Sequence, residues 1–254
     1  MKVTFLGTGT SQGVPVIGCE CDVCRSIDFH DKRLRSSILM EVDGLNILVD
    51  TGPDFRQQML RERVKKLDAV LFTHAHKDHT AGLDDIRSFN FLQRRDMPIY
   101  AEQPVIDQLK QEFAYIFAST KYPGVPRIAT NKIKNEPFSI QNTTITPIRV
   151  MHYKLPVLGF RIGNFTYITD ANHISEEEKE KIKGSRIVVL NALQKTEHIS
   201  HFTLDQALEV MEELNPEQGY LTHISHKLGT HAEVSRELPD NVSLAWDGLQ
   251  IETD

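Results

Sequence analysis

The sequence is poor in cysteine, has a single tryptophan and contains no apolar run approaching the roughly 20 residues that cross a bilayer. Because a basic and apolar N-terminal segment is also missing, we predict neither a signal peptide nor a membrane-spanning helix. The three cysteines all lie between positions 19 and 24, which makes a poor disulfide framework and suits a reducing compartment. We therefore expect a cytoplasmic protein that does not contact membranes.

An excess of basic residues is missing too, because 35 acidic side chains outweigh 29 basic ones and give a formal net charge of -6. General nucleic-acid binders normally carry a basic balance, so we expect no general nucleic-acid binding. The negative net charge is still compatible with a small anionic substrate, because bound metal ions add positive charge that this count omits. No low-complexity tract or linker divides the 254 residues, which predicts a single domain over 1–254.

Strand-like and helical patterns alternate in both halves of the chain. Strands are predicted at residues 2–6, 37–42, 46–50, 68–73, 143–150, 158–162, 165–169, 186–190 and 220–222. Helices are predicted at 54–64, 84–93, 105–117 and 203–214, and another after Ser175, an N-cap with Glu178 as its capping-box partner. Residues 242–245 and 249–252 are expected to pair as a hairpin around Asp247-Gly248. Strands in both halves with helices between them predict an αββα sandwich, two mixed sheets packed face to face with helices outside.

A dense group of metal-ligand residue types follows the predicted strand 68–73, where positions 74–79 read HAHKDH. Neutral imidazoles and carboxylates are the groups that borderline divalent cations favour, and short spacing lets one loop offer several of them. One histidine alone in such a loop would be interpreted as a surface residue. Three histidines and an aspartate within six positions predict a metal site instead.

This run resembles the signature of the metallo-β-lactamase superfamily in its two-metal hydrolase form, and the resemblance implies that fold. It also implies seven metal ligands, drawn from the run and from three later strand ends: His74, His76, Asp78, His79, His152, Asp170 and His223. The first two would bind one metal, Asp78 and His79 would bind the other, and Asp170 would bridge both. Asp50 matches a family aspartate that orients the histidine loop without binding metal.

A second ligand-rich segment contains Cys19, Cys21 and Cys24. Three free thiols are one interpretation, and a structural zinc, which needs a fourth protein ligand, is the other. The blocks Gly-Val-Pro, Cys-x-Cys-x-x-Cys and Thr-His-Ile-Ser-His resemble the subgroup of phosphoribosyl cyclic phosphodiesterases, over nearly the whole chain. That resemblance, and not the spacing, implies His226 as the fourth ligand.

One further histidine is marked by its context, because residues 200–207, SHFTLDQA, resemble the family segment in which a histidine before a helix protonates the leaving group. The resemblance implies that His201 is the general acid, a task that suits a group titrating near neutral pH. Asp78 is also counted among the catalytic residues. A solvated loop side chain is the alternative for His201. The remaining histidines are expected to be surface or packing residues: His30, His173, His198 and His231.

We therefore expect a metal-dependent phosphodiesterase that acts on a small, cyclic ester such as 5-phosphoribosyl 1,2-cyclic phosphate. Hydroxide shared by two metals would attack phosphorus, and His201 would protonate the departing oxygen. Zn, Mn, Ni and Fe all suit the active-site ligands, and one structural Zn is expected at the cysteines.

Three other functions stay open: a tRNA 3′-processing endonuclease, a cofactor-biosynthesis protein of the pyrroloquinoline-quinone type and a non-catalytic metal-binding scaffold. The nuclease is disfavoured, because its bacterial form inserts an RNA-gripping arm where only residues 153–169 lie here. Residues 7–13 would either cradle phosphate through backbone N–H groups or form a plain turn. The natural substrate, a homodimer and the role of residues 113–127 are left undecided.

Overall fold

The computed structural model describes residues 1–120 and 122–253, so Lys121 in the segment 113–127 and Asp254 in the predicted domain lie outside it. Within the described residues the chain forms fifteen strands and nine α-helices. The strands are β1 (Lys2–Gly7), β2 (Ser37–Val42), β3 (Leu45–Val49), β4 (Ala69–Leu71), β5 (Met97–Ala101), β6 (Ile128–Lys132), β7 (Phe138–Ile140), β8 (Thr143–His152), β9 (Leu155–Ile162), β10 (Phe165–Tyr167), β11 (His173–Ile174), β12 (Ile187–Asn191), β13 (Gln218–Thr222), β14 (Val242–Leu244) and β15 (Gln250–Glu252).

The helices are α1 (Asp22–Arg25), α2 (Phe55–Arg61), α3 (Lys77–Thr80), α4 (Arg87–Gln93), α5 (Gln103–Glu112), α6 (Ala114–Phe117), α7 (Glu176–Ile182), α8 (Leu204–Leu214) and α9 (His231–Val234). Short 3₁₀ turns cover Phe29–Asp31 and Leu83–Ile86. No helix in the described part of the chain is both long and apolar enough to cross a membrane.

The strands form two sheets, and each sheet is antiparallel on one side and parallel on the other. The first has the order β15-β1-β2-β3-β4-β5-β6 and is parallel from β3 to β6. The second has the order β11-β8-β9-β10-β12-β13-β14, with β7 paired to β8, and is parallel from β10 to β14. The predicted pair of mixed sheets is confirmed.

The apolar side chains explain why these sheets face each other. In β2, Ile38 and Met40 point into a cluster shared with Phe160 and Tyr167 of the second sheet, while Leu39 points to the opposite face. Side chains alternate along a strand, so a continuous apolar run such as SILM requires cover on both faces of its sheet. Each fully buried large apolar side chain contributes about 1.5–3 kcal/mol, which makes this inner layer a principal source of stability.

Helices provide the outer cover. Met59 of α2 and Leu109 of α5 pack on the outer face of the first sheet. Ile182 of α7 and Met211 of α8 pack on the outer face of the second. The layers therefore run helix, sheet, sheet, helix, and the predicted αββα sandwich is confirmed.

The predicted C-terminal hairpin is wrong. β14 pairs with β13 in the second sheet, whereas β15 pairs with β1 in the first, so the chain crosses between sheets at Asp247. The Asp247 carboxylate accepts hydrogen bonds from the Thr8 backbone N–H and hydroxyl and from the Leu34 N–H, at 2.8–2.9 Å. Asp247 and Gly248 do form a turn, closed by the Leu249 N–H donating to the Trp246 carbonyl at 3.1 Å, but the distant donors hold that turn in a crossover between the sheets and not in a hairpin.

The predicted capping box before α7 is only half correct. Ser175 caps the helix by accepting a hydrogen bond from the Glu178 N–H. The Glu178 carboxylate does not return to the N-cap, because it accepts hydrogen bonds from the Arg149 N–H and the Asn135 side-chain amide. Glu178 therefore fastens α7 to β8, a contact that local sequence cannot show.

Candidate metal centre

The candidate ligands meet because their strands end at one edge of the sandwich. His152 ends β8, and His223 directly follows β13. Asp50, Asp170 and His223 all have left-handed backbone conformations, with φ of 64°, 57° and 56°. Such conformations are costly for residues with a side chain and are concentrated at functional sites. The backbone is therefore held in place here by the surrounding structure.

His74, His76 and His152 form the first cluster, in which one ligand atom from each residue lies within 4.8 Å of the others. His74 Nε2 and His76 Nδ1 face each other at 2.9 Å. The other nitrogens of two rings are engaged: His74 Nδ1 lies 2.9 Å from the Thr73 hydroxyl, and His152 Nδ1 donates to the Ser200 carbonyl at 2.9 Å. These outer contacts orient the rings so that one nitrogen of each remains for a shared cation.

Asp78, His79, Asp170 and His223 form the second cluster, with the same 4.8 Å limit. His79 Nε2 lies 3.1 Å from an Asp78 oxygen and 3.2 Å from Asp170, and His223 Nε2 lies 3.2 Å from Asp170. The buried His79 Nε2 has no hydrogen-bond partner in the described part of the chain, although both oxygens are near. Lone pairs that converge without hydrogen-bond geometry are what a shared cation would use.

Charges inside the centre shift the pKa values of its residues in opposite directions. Burial would raise the pKa of Asp170, but His223 and His79 outweigh burial and hold that pKa well below its usual range. Burial would lower the pKa of His79, but Asp170 and Asp78 outweigh it and raise that pKa well above its usual value. A bound cation would compete with a proton for His79 Nε2 between these two carboxylates. The donor set fits divalent cations.

Asp50 lies behind the candidate ligands. Its carboxylate accepts hydrogen bonds from the Thr73 N–H and hydroxyl, at 2.9 and 2.8 Å, and lies 2.7 Å from His79 Nδ1. It thereby connects the end of β3 to the loop after β4. This contact fixes which His79 nitrogen faces the centre.

Two supporting residues were not found from the sequence. Ser36 places its hydroxyl 3.1 Å from His223 Nδ1. Asn191 accepts from the Ala171 N–H and donates to the Ala171 carbonyl, which fixes the backbone next to Asp170. Asn191 ends the buried strand β12, so the polar strand-end pattern that marked the ligands also applies to it; Ser36 has no comparable signal.

His201 lies between the two clusters. Its ring centroid is 4.6 Å from that of His152 and 5.0 Å from that of His223, and its Nδ1 lies 3.9 Å from an Asp170 oxygen. Its Nδ1 is buried without a hydrogen-bond partner among the described residues. Burial, with His223 beside it, lowers the pKa of His201 to about 3, and a phosphate anion next to the ring would oppose that shift. The Thr203 capping box that starts α8 fixes the segment after it.

Cys19, Cys21, Cys24 and His226 also come together, with ligand atoms within 4.8 Å of one another. Cys19 Sγ and Cys21 Sγ lie 3.3 and 3.4 Å from His226 Nδ1, and the Val16 N–H donates to Cys24 Sγ at 3.3 Å. Three thiols and one imidazole are a typical donor set for structural zinc. The cysteine loop is thereby joined to the segment that carries His223, while the zinc itself stays a prediction.

Replacing Cys21 with serine is expected to remove zinc from the purified protein and to lower its melting temperature. A drop of roughly 5–10 °C corresponds to about 2–3 kcal/mol for a chain of this size. Zinc analysis and a thermal melt measure both. Glu20→Gln, an exposed change between two of the cysteines, is the control and should alter neither. Full zinc content and an unchanged melt in the Cys21→Ser protein would refute the zinc site.

Other predicted features are placed as follows. The amides of Thr8, Gly9 and Thr10 donate to Asp247, Leu34 and Ile224, which favours a turn over a phosphate cradle for residues 7–13. His30 and His231 stack at 4.5 Å beside Trp246, and His198 lies 5.1 Å from the His201 ring. In the undecided segment 113–127, the Tyr115 hydroxyl donates to Asp84 at 2.5 Å.

Comparisons with known proteins agree with this geometry. The family model described as Beta-lactamase superfamily domain matches residues 45–224. The chain is 42% identical over 253 residues to an octanoyltransferase of Porphyromonas gingivalis, a match that covers 98% of this chain and 51% of that protein. The chain thus spans about half the length of this curated relative.

Two solved structures resemble the chain along its whole length. A new diphosphatase from the PhnP family has a TM-score of 0.93 and 40% identity, and the match covers 100% of this chain and 98% of that one. Zn²⁺-bound PqqB from Methylobacterium extorquens has a TM-score of 0.81 and covers 100% of both chains, but its 19% identity shows the fold alone. The chain therefore belongs to the metallo-β-lactamase superfamily and, within it, to the PhnP family.

Proposed function

We propose that this hydrolase cleaves a small cyclic phosphodiester, with 5-phosphoribosyl 1,2-cyclic phosphate as the substrate that its subgroup resemblance favours. The observation that carries the proposal is the position of His201. Its buried, unpartnered Nδ1 lies between both ligand clusters, 3.9 Å from Asp170. A group there can reach an ester oxygen of a phosphate that lies across the two clusters.

Seven residues would hold two divalent cations: His74, His76, Asp78, His79, His152, Asp170 and His223. When bound, such cations lower the pKa of water, orient the phosphate and neutralise its charge. The Asp50 carboxylate contacts Nδ1 of His79 and so orients that ring. The Ser200 carbonyl accepts a hydrogen bond from Nδ1 of His152 and orients the second ring. Asp78, beside His79 Nε2, contributes negative charge to the second cluster.

His201 is assigned the proton transfer. Cleavage of an unactivated diester leaves an alkoxide, whose departure is assisted when a proton is delivered to its oxygen. The ring is buried, so water competes little for that proton. The Leu193 N–H bonds the Phe202 carbonyl and the Phe202 N–H bonds the Ala171 carbonyl, which holds the segment next to His201 against the ligand strands.

A second candidate is hydrolysis of a diphosphate bond, because the PhnP-family protein of 40% identity is described as a diphosphatase. The same clusters would accept either phosphate compound. Octanoyl transfer is not carried over from the Porphyromonas protein, because the matched region is only 51% of it.

The test is a hydrolysis screen of protein loaded separately with Zn, Mn, Ni or Fe, with metal content measured on the same samples. Substrates are ribosyl cyclic phosphates, linear dialkyl and nucleotide diesters, diphosphates and a precursor tRNA. We expect the highest kcat/KM for the cyclic ribosyl phosphate. Preference for diphosphates would favour the second candidate, tRNA cleavage would favour the nuclease, and inactivity of fully loaded protein would favour a scaffold or cofactor-biosynthesis role.

A further inference from the structure

A pocket of about 520 Å³ opens directly beside the first histidine cluster. His76 and His152 form one part of its lining, and residues 153–155 and 199–200 form the rest. Two proposed metal ligands thus belong to its wall. A substrate whose reacting phosphate lies on the clusters would extend into this pocket.

Tyr153 lines this pocket and has a backbone conformation that tyrosine rarely adopts. It is the first residue of the two-residue turn between β8 and β9, where His152 pairs with Leu155. Its φ of 57° is left-handed, a conformation that suits glycine, asparagine or aspartate in such turns. The side chain is 49% exposed, so burial in the protein core does not explain why tyrosine is present.

The turn is fixed to the opposite side of the pocket. The Tyr153 N–H donates to Asn172 Oδ1 at 2.7 Å, and Asn172 Nδ2 donates to the Ile199 carbonyl at 3.2 Å. His152 Nδ1 donates to the neighbouring Ser200 carbonyl. Ile199, 66% exposed, therefore faces the pocket from a position that is preformed and does not need to close.

Lys154 supplies positive charge at the same place. Its Nζ lies 5.2 Å from the centroid of the Tyr153 ring. Across residues 1–120 and 122–253 it forms no ion pair, so its charge is available to a ligand. The pocket thus combines apolar walls, the positive charge of the Lys154 ammonium group and direct access to the reacting site.

We propose that this pocket is a specificity subsite for a second anionic group of the substrate. Lys154 pairs with a phosphate other than the one that is hydrolysed, and the sugar between the two phosphates packs against Tyr153 and Ile199. The inference rests on the proposed function, because it uses the same reacting phosphate. A cyclic ribosyl phosphate with a 5-phosphate has this chemistry.

The first test compares ribosyl 1,2-cyclic phosphate with and without the 5-phosphate. Lys154→Ala should raise KM for the 5-phosphorylated compound about fivefold, as expected for one partly exposed ion pair. It should leave kcat and the KM of the other compound unchanged. Lys65→Ala, which replaces an exposed lysine before β4, is the matched control and should change neither kcat nor KM for either compound. An equal effect on both compounds, or none, would overturn the subsite.

Tyr153→Gly tests the apolar wall. We expect a higher KM for both compounds with no loss of melting temperature, because glycine adopts the left-handed turn without strain. A lower melting temperature with unchanged KM would show that Tyr153 is structural.

Calorimetry separates failure of the subsite from failure of the proposed function. The probes are ribose 1,5-bisphosphate and ribose 1-phosphate, titrated into metal-loaded protein. If no cyclic phosphate is cleaved, yet Lys154→Ala weakens binding of the bisphosphate alone, the function is wrong and the subsite is supported. If cleavage occurs and Lys154→Ala binds both probes as the parent does, the function stands and the subsite is wrong.

Discussion

Replacing His201 with alanine should lower kcat for the cyclic ribosyl phosphate about 10²–10⁴-fold, the usual contribution of a positioned general acid. Metal content should not change, because the proposed ligands do not include this residue. That second readout is informative, since one His201 nitrogen lies close enough to His152 and Asp170 to belong to a ligand group itself.

Two comparisons make the result specific. Bis(p-nitrophenyl) phosphate has a leaving group that needs little protonation, so its cleavage should fall much less than that of the cyclic ester. His198→Ala is the matched control, because its ring lies 5.1 Å from His201 but is partly exposed. Equal losses on both substrates, or loss of metal, would show that His201 binds metal or supports structure.

Replacing Asp170 with asparagine should remove nearly all activity and weaken metal binding. Its two oxygens lie 3.2 Å from nitrogens of His79 and His223, so the substitution removes negative charge at the centre of the second cluster. Loss of an outer-sphere partner alone costs about 10–100-fold in metal affinity or activity, and a direct ligand should cost more. Metal titration and kcat measure both effects.

The matched control for this charge change is Asp205→Asn, an exposed aspartate in the first turn of α8. It should bind metal and turn over substrate as the parent does. The assignment of Asp170 would be contradicted if the Asp170→Asn protein kept its full metal content and a kcat within about threefold of the parent. Such a change in kcat corresponds to less than about 1 kcal/mol in the activation barrier.

The clustering of the candidate ligands was predictable because these residues combine ligand residue types with strand ends. A buried apolar strand is recognisable from its residue types, and a polar residue directly after the strand must lie at the edge of the sheet. His74, His152 and His223 follow this rule, and the structure brings them to one edge. The backbone conformations were not predictable, because φ of 57° at Asp170 is imposed by contacts such as that between Asn191 and Ala171.

The errors arose where distant partners override local preference. Asp247-Gly248 has turn chemistry, but its carboxylate binds Thr8 and Leu34 from the other end of the chain. Strands β5 and β6 were not predicted, although they complete the parallel side of the first sheet. Their pairing depends on neighbours brought together by the whole fold, which a local pattern does not contain.

The crossover between sheets also affects when the protein can fold during synthesis. β1 (residues 2–7) pairs with β15 (residues 250–252), so these two neighbouring strands are separated by nearly the whole described length of the chain. Contacts between such distant segments form slowly and only after the intervening chain is available. The first sheet can therefore be completed only after residues 250–252 have left the ribosome, and until then the edge of β1 is open to non-native pairing.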